Sequence, residues 1–161
     1  MVRTVAARLA VVDQVSEGTI GRAVVPARAA LAGNPSDGHG GAVVAVPVHA
    51  FAAAVEVRPI GRERPTDQAK QQDPELDELV AATFRAATRL VGAPTDLVDE
   101  VAVDVATSIP RSVGLAGSSA IVLGVLEAIR AVDPSTRWAE LLGTPAARAV
   151  VALDAEVREL G

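Results

Sequence analysis

Between Ser108 and Arg130 the chain reads SIPRSVGLAGSSAIVLGVLEAIR, and this stretch limits the possible folds more than any other. An apolar run ends at Pro110, a loop carries Gly114 and Gly117, and Ser118 and Ser119 stand where the first turn of an apolar helix begins. A helix start leaves four backbone N–H groups unpaired and holds about half a positive charge, so an anion is its natural partner. Glycines at 114 and 117 allow backbone to approach a ligand, and the serine hydroxyls suit a phosphate oxygen or a metal ion. The spacing is neither GxxxxGK[ST], for which the lysine is also missing, nor GxGxxG. The alternative is a serine N-cap on an ordinary helix that follows a flexible loop.

Composition narrows what such a loop could serve. At 161 residues and 50% hydrophobic, the chain can form one domain with a core, but aromatics are only 2% and Ala and Val dominate. The net charge is −5, Lys70 is the single lysine, and no basic cluster with interleaved aromatics occurs, which argues against nucleic acid. Cysteine is absent, which fits a reducing compartment. Ala42 to Val57 is interrupted by Pro47, His49 and Glu56, too short and polar to span a bilayer. The N-terminus lacks an apolar signal core, so a cytoplasmic location is expected.

Along the chain, residues 1–20 fit neither structural period and read as a leader. Gly21 to Leu31 reads as a strand, and Gly33 to Gly41 is a run of turn formers. Ala42 to Val48 and Phe51 to Arg58 read as a pair of Val-rich strands, and Gly61 to Gln72 as a polar loop. Asp73-Pro74-Glu75 opens a helix with a cap, a proline at the first position and acidic residues at the positive end. Its apolar face comprises Leu76, Leu79, Val80, Thr83, Phe84, Ala87 and Leu90, and Gly92 ends it. Val101, Val103 and Val105 alternate with Asp104 in a half-exposed strand over Glu100 to Ile109. Helices follow over Ser118 to Ala131 and from Pro145 to Leu160. Strands first, with helices interleaved later, predict an α+β fold.

Two loops together carry a resemblance. Residues 26–37, PARAALAGNPSD, have the pattern P-x-R-x-x-L-x-G-x-x-x-D, and IPRSVGLAGSSAIV follows later in the chain. In this order they resemble the GHMP kinases, small-molecule kinases for galactose, homoserine, mevalonate and phosphomevalonate, and look most like the glucuronokinase branch. The likeness spans residues 22–161. It implies the N-terminal GHMP domain, a ribosomal S5 domain 2-like α+β fold with a mixed sheet and helices on one face.

The resemblance also implies ATP- and Mg²⁺-dependent phosphorylation of a sugar or sugar acid of the glucuronate type, yielding a sugar 1-phosphate. Pro110, Gly114, Leu115, Ala116, Gly117, Ser118, Ser119 and Ala120 would line the nucleotide, and Ser119 with Glu156 would hold the metal. Asn34, Ser36 and Asp37 would bind the acceptor, and Arg28 would face the transferring phosphoryl or the substrate carboxylate, a directional contact for an arginine. Asn34 and Pro35 replace the Glu and His of galactose-binding relatives, which speaks against galactose. One extra residue before Ser118-Ser119 leaves the choice of metal-binding serine open between the two. His39 reads as a solvated loop residue.

The family's catalytic aspartate lies beyond the metal glutamate, whereas the sequence ends at Gly161, and Asp154 is too close to Glu156 for that role. The family's C-terminal domain is likewise outside it. The expectation is therefore the phosphate-binding half of a kinase site, completed by a second chain or by further sequence. Ala146, Ala147, Val150, Val151 and Leu153 are candidate surfaces for that structure. The competing readings are a catalytically inactive nucleotide- or metabolite-binding module and a plain α+β domain with a capped turn.

Overall fold

The computed structural model describes residue 15 and residues 17–33, 42–60 and 73–159. The predicted polar loop at 61–72 and most of the leader and turn-former segments lie outside the described residues, as do Asn34, Ser36, Asp37 and His39. The elements run β1 (Gly21–Ala32), β2 (Val44–Pro59), α1 (Pro74–Val91), α2 (Leu97–Glu100), β3 (Val101–Thr107), α3 (Gly117–Val132), α4 (Arg137–Leu142) and α5 (Pro145–Asp154). A π-helical turn, Ala155–Glu159, continues α5. This is the predicted α+β class.

The three strands form one sheet in the order β1-β2-β3, and both pairings are antiparallel. The expected mixed sheet is therefore corrected: a mixed sheet needs a parallel pair, and none occurs among the described residues. The predicted pair of strands at 42–48 and 51–58 is a single long strand, β2. Its interruption survives as a register shift, because Pro26 pairs with Ala52 but Ala27 pairs with Val48. Three residues of β2, His49 to Phe51, oppose no residue of β1 there. Prolines at 26 and 47 have no N–H to give to a ladder, so the irregularity falls where regular pairing is weakest.

Strand alternation gives the sheet two different faces. Ala53, Val55 and Val57 point into the main core, whereas Ala52 and Ala54 belong to a separate small cluster. Glu56 and Arg58 are also buried. Arg22 lies 3.4 Å from Glu56, and Arg58 Nε donates to Asp104 at 2.9 Å, so β1, β2 and β3 are laced by charge. The helical layer lies against the core face. There α3 packs on β1 and β2, and α1, α4 and α5 pack on α3.

Helix α1 starts and stops where the sequence predicts. The Asp73 side chain accepts from the Glu75 amide at 3.1 Å, and Gly92 turns left-handed at φ 73. The Gly92 amide donates back to the Thr88 carbonyl at 3.1 Å, the bond of an αL cap, and the Ala93 amide to Ala87 at 3.4 Å. Leu90 departs from the expected face and is 40% exposed, while Ala82 and Ala86 are buried. Two helices have no counterpart in the sequence-based expectation. One is the single turn α2, and the other is α4, whose Trp138, Ala139 and Leu142 are buried. The last helix, expected to run unbroken to Leu160, changes to π geometry after Asp154. Among the described residues, no helix is long and apolar enough to cross a membrane.

Candidate functional site

The loop between β3 and α3 is anchored at its start. Ser108 is buried, its amide donates to the Ala52 carbonyl at 2.9 Å, and its Oγ accepts from the Ala52 amide at 2.9 Å. Pro110 then leads the chain out to an exposed turn, Arg111 to Gly114. That turn is tied down by Arg111, which forms an ion pair with Asp73 and stands 3.5 Å from Glu75 at the start of α1. The hydrogen bond to Arg111 holds the Asp73 carboxyl below the usual carboxylate range, with the bond from the Glu75 amide adding to the effect.

Three residues in the loop have positive φ: Ser112 at 57, Gly114 at 74 and Ala116 at 51. Glycine suits such backbone at 114, whereas alanine at 116 adopts it against the steric preference of its Cβ. Ala116 is the N-cap of α3, and no side chain caps the helix. The serine-cap alternative therefore does not describe this helix start, since Ser118 and Ser119 lie inside the first turn. The Ala116 carbonyl accepts from the Ala120 amide at 3.0 Å. The result is a helix N-terminus whose leading N–H groups have no capping side chain.

The two serines then diverge. Ser118 is exposed, whereas Ser119 is half-buried and its Oγ donates to Glu156 Oε1 at 2.9 Å. These two residues, separated by 37 positions, are the two expected metal-binding residues. The π turn after Asp154 carries Glu156, and Ala155 is completely buried. Arg89 near the end of α1 forms an ion pair with Asp154. Among the described residues no group of three or more His, Asp or Glu stands together as a metal site.

On the other side of α3, β1 bends past the loop, and the Arg28 amide donates to the Leu115 carbonyl at 3.1 Å. A cavity of about 260 Å³ opens between the elements. Its walls are Val25 to Arg28 of β1, Ala45 to Pro47 of β2, and Ala116, Ser119, Ala120 and Leu123. Arg28 and Ser119 thus share one cavity, and Arg28 is otherwise exposed. Of the expected nucleotide-lining residues, Ala116, Ser119 and Ala120 face this cavity. Leu115 meets Arg28 through its backbone, Pro110, Gly114 and Ser118 lie on the loop and the outer side of the helix start, and Gly117 packs near Ile109. Sequence reasoning missed two contributors, Arg111 and the Arg89–Asp154 pair. Both act across distant segments, and no local spacing marks them.

No protein-family model matches the chain, and no curated protein matches it.

Proposed function

We propose that the chain carries the phosphate- and metal-binding half of an ATP- and Mg²⁺-dependent small-molecule kinase site, acting on a sugar or sugar acid of the glucuronate type. The observation that carries this reading is the 2.9 Å contact between Ser119 and Glu156 beside an uncapped helix start, with Ser119 lining a cavity that it shares with Arg28. The resemblance of the two loops to GHMP kinases supplies the reaction class. The donor set fits the ion: a hydroxyl and a carboxylate are hard oxygen ligands, and Mg²⁺ keeps several waters and phosphate oxygens beside one or two protein ligands. When bound, the metal neutralises charge on the phosphates and polarises the transferring group.

The chain's own residues do the rest by position. The leading N–H groups of α3 point at whatever anion the loop encloses. Arg28 brings a permanent cation to the opposite wall, where it can engage an acceptor carboxylate or the phosphoryl group in a bidentate manner. The bond from the Arg28 amide to Leu115 ties the strand that carries that cation to the loop. Phosphoryl transfer is mostly positioning and charge stabilisation, which is what such an arrangement can provide.

The test is calorimetric titration of the protein with ATP, with and without Mg²⁺. Binding is expected to require Mg²⁺ and to weaken at least ~10-fold in Ser119→Ala and in Glu156→Ala, as loss of a ligand to a catalytic metal would produce. Unchanged affinity in both variants refutes the reading and leaves a structural α+β domain.

A further inference from the structure

We propose that Arg89 and Asp154 are positioning residues for the metal-binding carboxylate, so that the end of α1 sets where Glu156 stands. This inference rests on the phosphoryl-transfer reading above. Asp154 is 9% exposed, one of few buried charged groups among the described residues, and its carboxylate pairs with the Arg89 guanidinium across 65 positions of sequence. A carboxylate so buried remains ionised only if it is paired. Arg89 in turn occupies the last turn of α1, where a cation is favoured by the helix dipole. The ion pair is therefore anchored to a helix whose two caps are both satisfied.

The place of the pair along the chain gives it leverage. Asp154 is the last residue of α5 in α geometry, and the π turn begins with the next residue. Residues two apart on a helix stand on roughly opposite sides of it. Asp154 thus faces α1 while Glu156, two residues on, reaches the start of α3 and accepts from Ser119. The π turn packs on α1 as well as on α3. Single π turns inside helices recur at functional sites, because an extra residue in the turn re-aims the side chains that follow. Holding Asp154 fixes the rotation at which the π turn starts, and so fixes the direction of Glu156. The support stands on α1 and the ligand on the π turn, so the pair acts on Glu156 through the backbone rather than by a direct bond.

The test is Mn²⁺ binding, followed by electron paramagnetic resonance of free Mn²⁺, with thermal denaturation of the same samples without metal. Arg89 is 43% exposed at its side chain, so Arg89→Ala opens no cavity, and the cost of leaving Asp154 unpaired is read from the melting temperature. The substitution is expected to weaken Mn²⁺ binding ~10-fold, the low end of the range for a residue bonded directly to a metal ligand, because Arg89 acts one step further out. Arg89→Lys, which keeps the charge, should recover most of the loss, and Asp154→Asn should weaken binding as Arg89→Ala does. Glu156→Gln should abolish it. If Arg89→Ala and Asp154→Asn bind Mn²⁺ as the parent does while Glu156→Gln does not, the positioning role is overturned and the metal site stands. If affinity and melting temperature fall together and Arg89→Lys restores neither, the pair is only structural and the proposal is overturned. A parent protein that does not bind Mn²⁺, or a Glu156→Gln variant that binds it equally well, overturns the metal site and this proposal with it.

Discussion

Gly124→Ala should destabilise the protein, although the same change in an exposed helix would stabilise it. Gly124 lies in the middle of α3, where alanine is worth about 1 kcal/mol more than glycine on helix propensity alone. A Cβ at this position would lie 2.7 Å from Val55 Cγ2, with Val25 Cγ2 at a comfortable 3.8 Å. Val55 is fully buried in the sheet and, being β-branched, has few rotamers by which to withdraw its methyl. Forcing one carbon into a filled core costs about 2 kcal/mol, so the net effect is a loss of ~1 kcal/mol, or ~3 °C in melting temperature. Val55→Ala removes the obstructing methyls. In that background Gly124→Ala should raise stability by ~1 kcal/mol, giving a coupling of ~2 kcal/mol between the sites. Urea denaturation followed by the fluorescence of Trp138, the single tryptophan and a buried one, measures all four proteins. An equal effect of Gly124→Ala in both backgrounds would refute the argument, because contact with Val55 would then not decide the sign.

Asp104→Ala leaves the buried Arg58 guanidinium without its carboxylate, and chemical denaturation should show a loss of ~2–3 kcal/mol, moderated because Asp104 itself is partly exposed. The Asp73–Arg111 pair predicts a pH effect of definite sign. The folded-state pKa of Asp73 is depressed, so its stabilisation is present above the ordinary carboxylate pKa and fades as pH falls through the folded-state value. A carboxyl-detected NMR titration should show Asp73 moving up toward the ordinary value in Arg111→Ala, and an unchanged titration would show that Arg111 is not the cause. Val150 and Leu153 on α5 and Val157 on the π turn are all more than half exposed. Leu153→Glu should leave stability within ~0.5 kcal/mol and reduce self-association in sedimentation velocity.

Local signals in the sequence are sufficient where the chemistry is local. Asp73, Pro74 and Gly92 mark both ends of α1 because capping uses atoms within a few residues of the helix end. The Val101, Val103, Val105 alternation likewise marks β3. Other features follow from distant partners and leave no pattern nearby. His49 and Ala50 read as a turn between two strands. With Phe51 they form a bulge instead, because β1 pairs with the same strand before it, at Val44 to Val48, and after it, at Ala52 to Val57. Helix α4 is too short to show a period and exists because Trp138 and Leu142 have a core to enter. The shift to a π turn after Asp154 coincides with an ion pair to α1, 65 positions away. As for the site, the glycine loop is legible as a helix start suited to an anion. Pairing Ser119 with Glu156 comes from resemblance, not spacing, and the described structure brings those two side chains together. Which serine is involved cannot be read from the loop, and the turn of α3 after Ala116 is what separates them.

The scarcity of large side chains, odd for a core, has a geometric consequence at the site. Backbone meets backbone where α3 crosses the sheet: a Cβ on Gly21 would lie 2.2 Å from the Ala128 carbonyl, and further along the sheet Ala27 and Ala53 are fully buried in the same core. Gly124 over Val55 repeats the pattern one turn earlier along α3. Each of these small residues lowers the helix toward the strands. The descent carries the start of α3 to β1, where the Leu115 carbonyl can accept from the Arg28 amide. Leucines at these positions would bury more area each and make a stronger core by transfer energy alone. They would also lift α3, part Leu115 from Arg28, and widen the cavity between Arg28 and Ser119. A core of Ala, Val and Gly therefore gives up burial energy and, in exchange, holds the backbone of Arg28 against the loop that leads into a helix start with no cap.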